Sequence, residues 1–279
     1  MRIDSHHHLW NYSAREYAWI DDSMQVLRRD FTPADLLRDM QATHVDHAVG
    51  VQARQSLAET RFLLDHARRH DWIKGVVGWV PLADPDVGRV LESFHDEPLL
   101  KGVRHVVQDE PDERFLDRDA FNAGVRCLRH HGLVYDILVY GRQVPMATRF
   151  VDRHPEQPFV LDHIAKPRIA AAGMDRDWEQ AFRELAKRPH VSCKFSAVVT
   201  EVRDPTWNVD LLRPYWDVAL EAFGPERLMF GSDWPVCLLR SSYADWVAAV
   251  ATLAADLNAA QQAAFWGGNA NRVYRLGVR

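Results

Sequence analysis

The sequence is poor in cysteine. Its 279 residues contain only three, Cys127, Cys193 and Cys237, which are far apart and form no CxxC pair. An odd number of widely spaced cysteines argues against a disulfide framework and is typical of reduced thiols in the cytosol. We therefore predict a cytoplasmic protein that depends on no disulfide.

Long basic or apolar runs are also missing. The net charge is −5 with both signs scattered along the chain, which argues against a nucleic-acid partner. The longest mildly apolar stretch, Trp246 to Leu257, is mostly alanine and too short to span a bilayer, and no apolar segment typical of a signal peptide follows the first four residues. We expect no membrane association. No feature of the sequence marks a subunit interface, so the oligomeric state stays open.

Short apolar stretches alternate with helical patterns along the whole chain. The predicted strands cover residues 3–8, 45–52, 73–80, 100–106, 133–139, 159–164, 191–196 and 227–233. This alternation, without any Pro- or Ser-rich linker, predicts an α/β fold of the (β/α)8 TIM-like class, with residues 1–279 as a single domain. An open, doubly wound sheet is the alternative, but no Gly-rich phosphate-binding sequence follows the first strand.

Histidines at the first strand are the main candidates for chemistry. In a strand, His6 and His8 face the same way and His7 faces the other way. His163 and Asp233 each follow a later apolar stretch, and the C-terminal strand ends of a barrel converge on one face. The four side chains together could bind one zinc-like ion, or polarise a carbonyl while Asp233 takes a proton from water. Taken singly, each could instead be an ordinary solvated or hydrogen-bonded polar group.

Other residues near the predicted strand ends are candidates for substrate binding. The polar ones suit hydroxyl groups or a product carboxylate, and the aromatic ones could cover the CH face of a sugar. Surface salt bridges and core packing are the alternative roles for the two sets. The candidates are Arg104, His105, Lys166, Lys194, Trp10, Tyr140 and Trp234.

Seven motifs together resemble the second large family of the amidohydrolase superfamily, in its sugar-lactonase branch. They are DSHHHLW, VVGWVPL, KGVRHVVQDE, LDHIAKP, VSCKFS, FGSDWPVC and GNANRVY, and they extend from Asp4 to Tyr274. The resemblance implies a distorted barrel, with the family's HxH pair at His6 and His8, its later histidine at His163 and its eighth-strand aspartate at Asp233. The predicted fifth strand carries no histidine, so we expect at most one divalent metal, zinc or manganese, which activity need not require.

This resemblance implies a lactone hydrolase that opens an aldonolactone such as L-fuconolactone to the aldonic acid. Asp233 would activate water as the general base, and the three histidines would stabilise the developing oxyanion, directly or through one metal. The alternatives are a metal-dependent decarboxylase or amide hydrolase of the same family, a lactonase for pyrone dicarboxylates, and a non-catalytic barrel that binds sugar acids.

Overall fold

The computed structural model describes residues 1–278 and is built around one sheet of eight parallel strands. The strands pair in chain order, from the first to the eighth. They are β1 (Ile3–His7), β2 (His47–Val51), β3 (Ile73–Gly78), β4 (Leu100–Val106), β5 (Val134–Leu138), β6 (Phe159–Leu161), β7 (Val191–Ser196) and β8 (Leu228–Gly231). The predicted (β/α)8 barrel is confirmed.

Helices follow the strands and cover the outside of the barrel. They are α1 (Pro33–Ala42), α2 (Leu57–Arg69), α3 (Val87–Glu92), α4 (Asp119–His130), α5 (Val144–Asp152), α6 (Arg176–Ala186), α7 (Val209–Phe223), α8 (Tyr243–Leu253), α9 (Ala259–Ala263) and α10 (Asn269–Val273). The sequence at the start of α1 explains why a helix begins there: the side chains of Thr32 and Asp35 each accept a hydrogen bond from the other's backbone N–H group. Within residues 1–278, every helix is too short or too polar to cross a membrane.

The barrel closes between β1 and β8, directly at the candidate site. The backbone N–H of Asp233 donates to the carbonyl of His6, and the N–H of His8 donates to the carbonyl of Trp234, both at 2.7 Å. These two bonds place the histidines of β1 beside the aspartate that follows β8. His8 and Asp233, which are 225 residues apart in the sequence, are thus joined where the chemistry is expected.

A distortion of β1 decides which histidines face inward. Ile3 packs in the apolar cluster of the barrel interior, so strict alternation would also turn His7 inward. The pairing of β1 with β2 shifts register between Asp4 and His7. After this shift the ring of His7 lies outside the barrel, against Gly50 and Trp72, while His6 and His8 face the interior.

Gly124 on α4 shows how closely the helices pack on the loops. A Cβ atom at this position would lie 1.9 Å from the carbonyl oxygen of Leu82. This oxygen belongs to the backbone, so no change of side-chain rotamer could relieve the overlap. We expect Gly124→Ala to lower the free energy of unfolding by about 1–3 kcal/mol or more, measured by urea denaturation. Gly88→Ala on α3 is the control, because its Cβ would meet no atom within 4 Å. Equal midpoints for the two variants would contradict the predicted overlap.

Candidate active site

Four side chains meet at the C-terminal end of the barrel. The Nε2 atom of His8 lies 3.0 Å from Oδ1 of Asp233 and 3.3 Å from Nε2 of His6. His6 Nε2 is 3.4 Å from the same carboxylate oxygen, and His163 Nε2 is 3.9 Å from Oδ2. All four residues are buried. The barrel therefore brings together the residues that the sequence predicts, from β1 and from the loops after β6 and β8.

The second ring nitrogen of His8 and that of His163 each have a hydrogen-bond partner outside the cluster. Nδ1 of His8 is 2.7 Å from the carbonyl oxygen of Val51, and Nδ1 of His163 lies 3.2 Å from the carbonyl oxygen of Ser196. A carbonyl can only accept, so Nδ1 of His8 carries a hydrogen. Nδ1 of His163 also lies 2.8 Å from the hydroxyl of Ser196, which can donate or accept. The Nε2 atoms of both rings face the Asp233 carboxylate, an arrangement that a proton or a metal cation between them would stabilise.

The donor set fits one divalent metal. His6, His8 and Asp233 offer ligand atoms within 4.8 Å of one another, and imidazole with carboxylate is a typical zinc combination. His6, His163 and Asp162 form a second such group that shares His6. Asp162, however, already pairs with two cations inside the barrel, so the first group is the better metal site.

Arg104 and Lys194 provide these two cations. Nη1 of Arg104 is 2.9 Å from Asp162 and 3.2 Å from Nε2 of His6. Nζ of Lys194 lies 2.5 Å from Asp136, 3.0 Å from Asp162 and 3.2 Å from Nδ1 of His6. The network is buried and pairs two carboxylates with two cations. Because one cation contacts each nitrogen of the His6 ring, the network holds that ring in position.

Burial and charge set the protonation states of the site. Burial opposes ionisation of Asp162, but Lys194 first, then His6 and Arg104, outweigh it and hold the pKa of Asp162 well below its usual range. Burial also opposes ionisation of Asp233, but the nearby histidines, His163 first, hold the pKa of Asp233 below its ordinary value. Burial lowers the pKa of His163 to about 4. At neutral pH, Asp233 is therefore an anion beside a neutral His163.

An unusual backbone turn carries His163 into the site. Residues 163–166 all have positive φ angles, from 45° to 59°, although none is glycine. Left-handed backbone costs about 1–2 kcal/mol for each such residue and persists only where packing enforces it. Here Ile164 and Ala165 are fully buried, and the indole N–H of Trp178 donates to the carbonyl of Ile164 at 2.7 Å. The turn places both His163 and Lys166 at the wall of one cavity.

This cavity has a volume of about 900 Å³ and opens above the four-residue cluster. Its lining includes His8, His163 and Asp233 from the cluster. Three of the predicted substrate-binding residues also line it, Arg104, Lys166 and Tyr140. A sugar-sized molecule in the cavity would therefore touch both the cluster and these three side chains.

The other four predicted substrate contacts lie elsewhere. Lys194 is fully buried in its ion pairs. His105 follows Arg104 on β4 and so faces outward, where Glu110 binds its Nε2 at 2.6 Å. Trp10 and Trp234 are buried and pack edge-on against Phe31. Both therefore have the core-packing role that was the alternative to sugar binding.

Sequence reasoning missed three acidic residues. Asp162 and Asp136 bind the buried cations, and Glu201 lines the cavity. A charged residue in the middle of an apolar strand, such as Asp136 in Val-Tyr-Asp-Ile-Leu, was a usable indication because buried charges need partners. The sequence around Glu201 gives no comparable indication.

Fold and site together define a (β/α)8 barrel in which three imidazoles and one carboxylate converge on a position that could hold a cation. The family described as amidohydrolase matches residues 3–276, and the chain belongs to that family. The chain is 44% identical to an L-fucono-1,5-lactonase of Burkholderia multivorans, over 99% of this chain and 96% of that protein. An L-fucono-1,5-lactonase of Burkholderia ambifaria is 36% identical, with the same coverage.

A solved structure is similar over the whole chain. It is the crystal structure of an amidohydrolase from Burkholderia multivorans with bound zinc, which is 42% identical to this chain with a TM-score of 0.95. The alignment covers 99% of each chain. The resemblance to the sugar-lactonase branch of the family is therefore confirmed.

Proposed function

We propose that the chain is a lactone hydrolase that opens L-fucono-1,5-lactone, or a sugar lactone of closely similar shape, to the aldonic acid. The observation that carries the proposal is the cluster of Asp233 and three imidazoles at the floor of a sugar-sized cavity. The L-fucono-1,5-lactonases at 44% and 36% identity support the substrate class and the ring size. A cytoplasmic location stays a prediction from the sequence.

The charges of the cavity favour a neutral substrate. Of the four cations that line the cavity, Arg104 pairs with Asp162, Arg54 pairs with Glu16 at 2.7 Å, and Arg203 makes a long contact of 3.4 Å with Glu201. Within residues 1–278, Lys166 is the cavity cation without a salt bridge. A pyrone dicarboxylate would require several cations free to bind its carboxylates. Neutral hydroxyl groups can instead hydrogen-bond to paired charges of both signs, so a polyhydroxylated lactone fits this wall better.

The mechanism uses the protonation states derived above. A water hydrogen-bonded to Asp233 attacks the lactone carbonyl carbon while the carboxylate takes its proton. Arg104, beside His6, is placed to stabilise negative charge that develops at the cluster. The bond from the carbonyl carbon to the ring oxygen then breaks, and Asp233 returns the proton to that oxygen. The acid formed ionises at neutral pH, which makes the reaction measurable as proton release.

His6, His8 and Asp233 would hold the metal, with His163 adjacent. A bound divalent ion supplies Lewis-acid polarisation of an oxygen atom at this position. The zinc in the similar Burkholderia multivorans structure supports zinc as the ion. An ester needs less electrophilic help than an amide because an alkoxide leaves more readily than an amine, so the proposed chemistry tolerates a weakly held metal.

Metal removal and return tests this assignment. We expect metal-free protein titrated with zinc chloride in a calorimeter to bind one ion at the cluster, and His8→Ala to weaken that binding at least tenfold, because one of three ligands is lost. His95→Ala is the control, since Glu92, His95 and His131 form a separate surface group that could also hold an ion. A tight site that survives His8→Ala but disappears with His95→Ala would contradict the assignment.

A substrate panel tests the proposed function. Proton release is measured with 1,4- and 1,5-lactones of several sugars and with 2-pyrone-4,6-dicarboxylate, each corrected for spontaneous opening. We expect the neutral 1,5-lactones to be hydrolysed with the highest kcat/KM and the dicarboxylate at least about 100-fold more slowly, because most of the cavity cations already contact carboxylates of the protein. Preference for the dicarboxylate, or turnover only of aromatic carboxylic acids or amides, would favour one of the alternative functions.

A further inference from the structure

Glu201 occupies an unusual position in the cavity. It ends a short 3-10 turn, Val198–Glu201, that follows β7, and its side chain lines the cavity wall. That side chain is only 10% exposed. It therefore holds a carboxylate that is nine-tenths buried and directed toward the space where a substrate would lie.

The carboxylate of Glu201 is short of hydrogen-bond donors. The hydroxyl of Thr200 lies 3.5 Å from Oε1, but the same hydroxyl is 2.8 Å from the carbonyl oxygen of Ala197 and has only one hydrogen to donate. Arg203 reaches Oε2 at 3.4 Å with a side chain that is more than half exposed. Both contacts are at the limit of hydrogen bonding, so both oxygens keep lone pairs for a partner in the cavity.

A buried carboxylate with few hydrogen-bond donors costs free energy unless a ligand donates the missing hydrogen bonds. Burial raises the pKa of Glu201, against the opposing effect of Lys166, which agrees with a shortage of donors. The neutral lactone supplies what is missing, because its ring substituents are hydroxyl groups and a carboxylate can accept from two of them at once. Lys166 and Tyr140 stand on the same wall, with Nζ of the lysine 5.7 Å from the tyrosine ring centroid.

We propose that Glu201 is the residue that selects polyhydroxylated lactones, by accepting hydrogen bonds from two neighbouring hydroxyl groups of the bound substrate. This inference rests on the proposed function for the identity of the substrate. Glu201 binds parts of the molecule that do not react, so its contribution is the same in the ground state and in the transition state. Its loss should therefore raise KM and leave kcat nearly unchanged.

The test compares two substrates on three proteins. For Glu201→Gln, we expect kcat/KM for L-fucono-1,5-lactone to fall about 10- to 100-fold, mainly through KM, because hydrogen bonds to a charged acceptor are lost. Hydrolysis of δ-valerolactone, which has no hydroxyl groups, should stay within about twofold of wild type. Asp204→Asn is the matched control, because Asp204 lies on the same loop outside the cavity lining and its carboxylate accepts from the backbone N–H of Ala171, a bond that an asparagine oxygen can keep.

Equal losses on both lactones, or no loss on the sugar lactone, would overturn the assignment of Glu201. Binding of L-fucose, measured by calorimetry, separates this result from failure of the proposed function, because L-fucose carries ring hydroxyl groups but no lactone carbonyl. If the wild-type protein hydrolyses no lactone, weaker L-fucose binding by Glu201→Gln than by Asp204→Asn still supports the role of Glu201. Equal L-fucose binding by the two variants, or no binding by the wild type, would overturn it.

Discussion

Replacing Asp233 with asparagine is expected to lower kcat/KM for lactone hydrolysis by about 10²- to 10⁴-fold. The amide cannot take a proton from water at neutral pH, and it removes a negative charge that faces His8 and His163 directly. The fold should survive, because Asp233 has a φ angle of 55° and asparagine is among the residues that tolerate this left-handed region best. The effect should therefore appear in the rate and not in the yield of folded protein.

The measurement is the initial rate of proton release at saturating and at low lactone concentrations, with circular dichroism as the check on folding. A loss in kcat as well as in kcat/KM would place the role of Asp233 in the chemical step. A folded Asp233→Asn protein that keeps kcat/KM within about tenfold of wild type would exclude Asp233 as the general base.

The second large effect concerns stability. Lys194→Met should lower the free energy of unfolding by about 3–5 kcal/mol, because methionine fills the space of the side chain but leaves Asp136 and Asp162 without their shared cation in the barrel interior. The measurement is the midpoint of urea denaturation monitored by tryptophan fluorescence.

Two further variants sharpen this test. Lys194→Met combined with Asp136→Asn should recover part of the lost free energy of unfolding, since one of the two carboxylates left without a cation is then replaced by a neutral amide. Lys187→Met removes an ion pair with Glu184 that lies on the surface, so its midpoint should stay close to wild type. If Lys194→Met unfolds at the wild-type midpoint, the buried network does not stabilise the barrel.

The parts of this protein that sequence could predict are those that depend on short stretches. Strand and helix alternation is local, and it predicted eight strands whose bounds agree with the structure to within a few residues. The strand ends of a barrel meet on one face whatever the details, so the convergence of His6, His8, His163 and Asp233 could be expected from fold class alone. The membership of the amidohydrolase family followed from motifs spread over nearly the whole chain.

The remaining features depend on contacts between distant parts of the chain. The predicted sixth strand is too long because residues 163–166 form the left-handed turn, which burial of Ile164 and Ala165 enforces. The role of Lys194 depends on Asp136, which lies 58 residues earlier on another strand. The pairing of these two side chains is not visible from the local sequence of either strand.

The roles of the aromatic residues also depend on contacts that the local sequence does not show. Trp10 and Tyr140 are equally plausible sugar contacts from their positions near strand ends. Only the packing of Phe31 against Trp10 shows that Trp10 belongs to the core, while Tyr140 lines the cavity. Glu201 is recognisable as a substrate contact only from its burial and its two long contacts.

The most direct measurement is the rate of L-fucono-1,5-lactone opening by the purified wild-type protein, followed as proton release and corrected for the spontaneous reaction. The convergence of Asp233 and the three histidines below a sugar-sized cavity predicts a saturable, protein-dependent rate that disappears in Asp233→Asn. A folded wild-type protein that opens this lactone no faster than buffer would contradict lactone hydrolysis at this site.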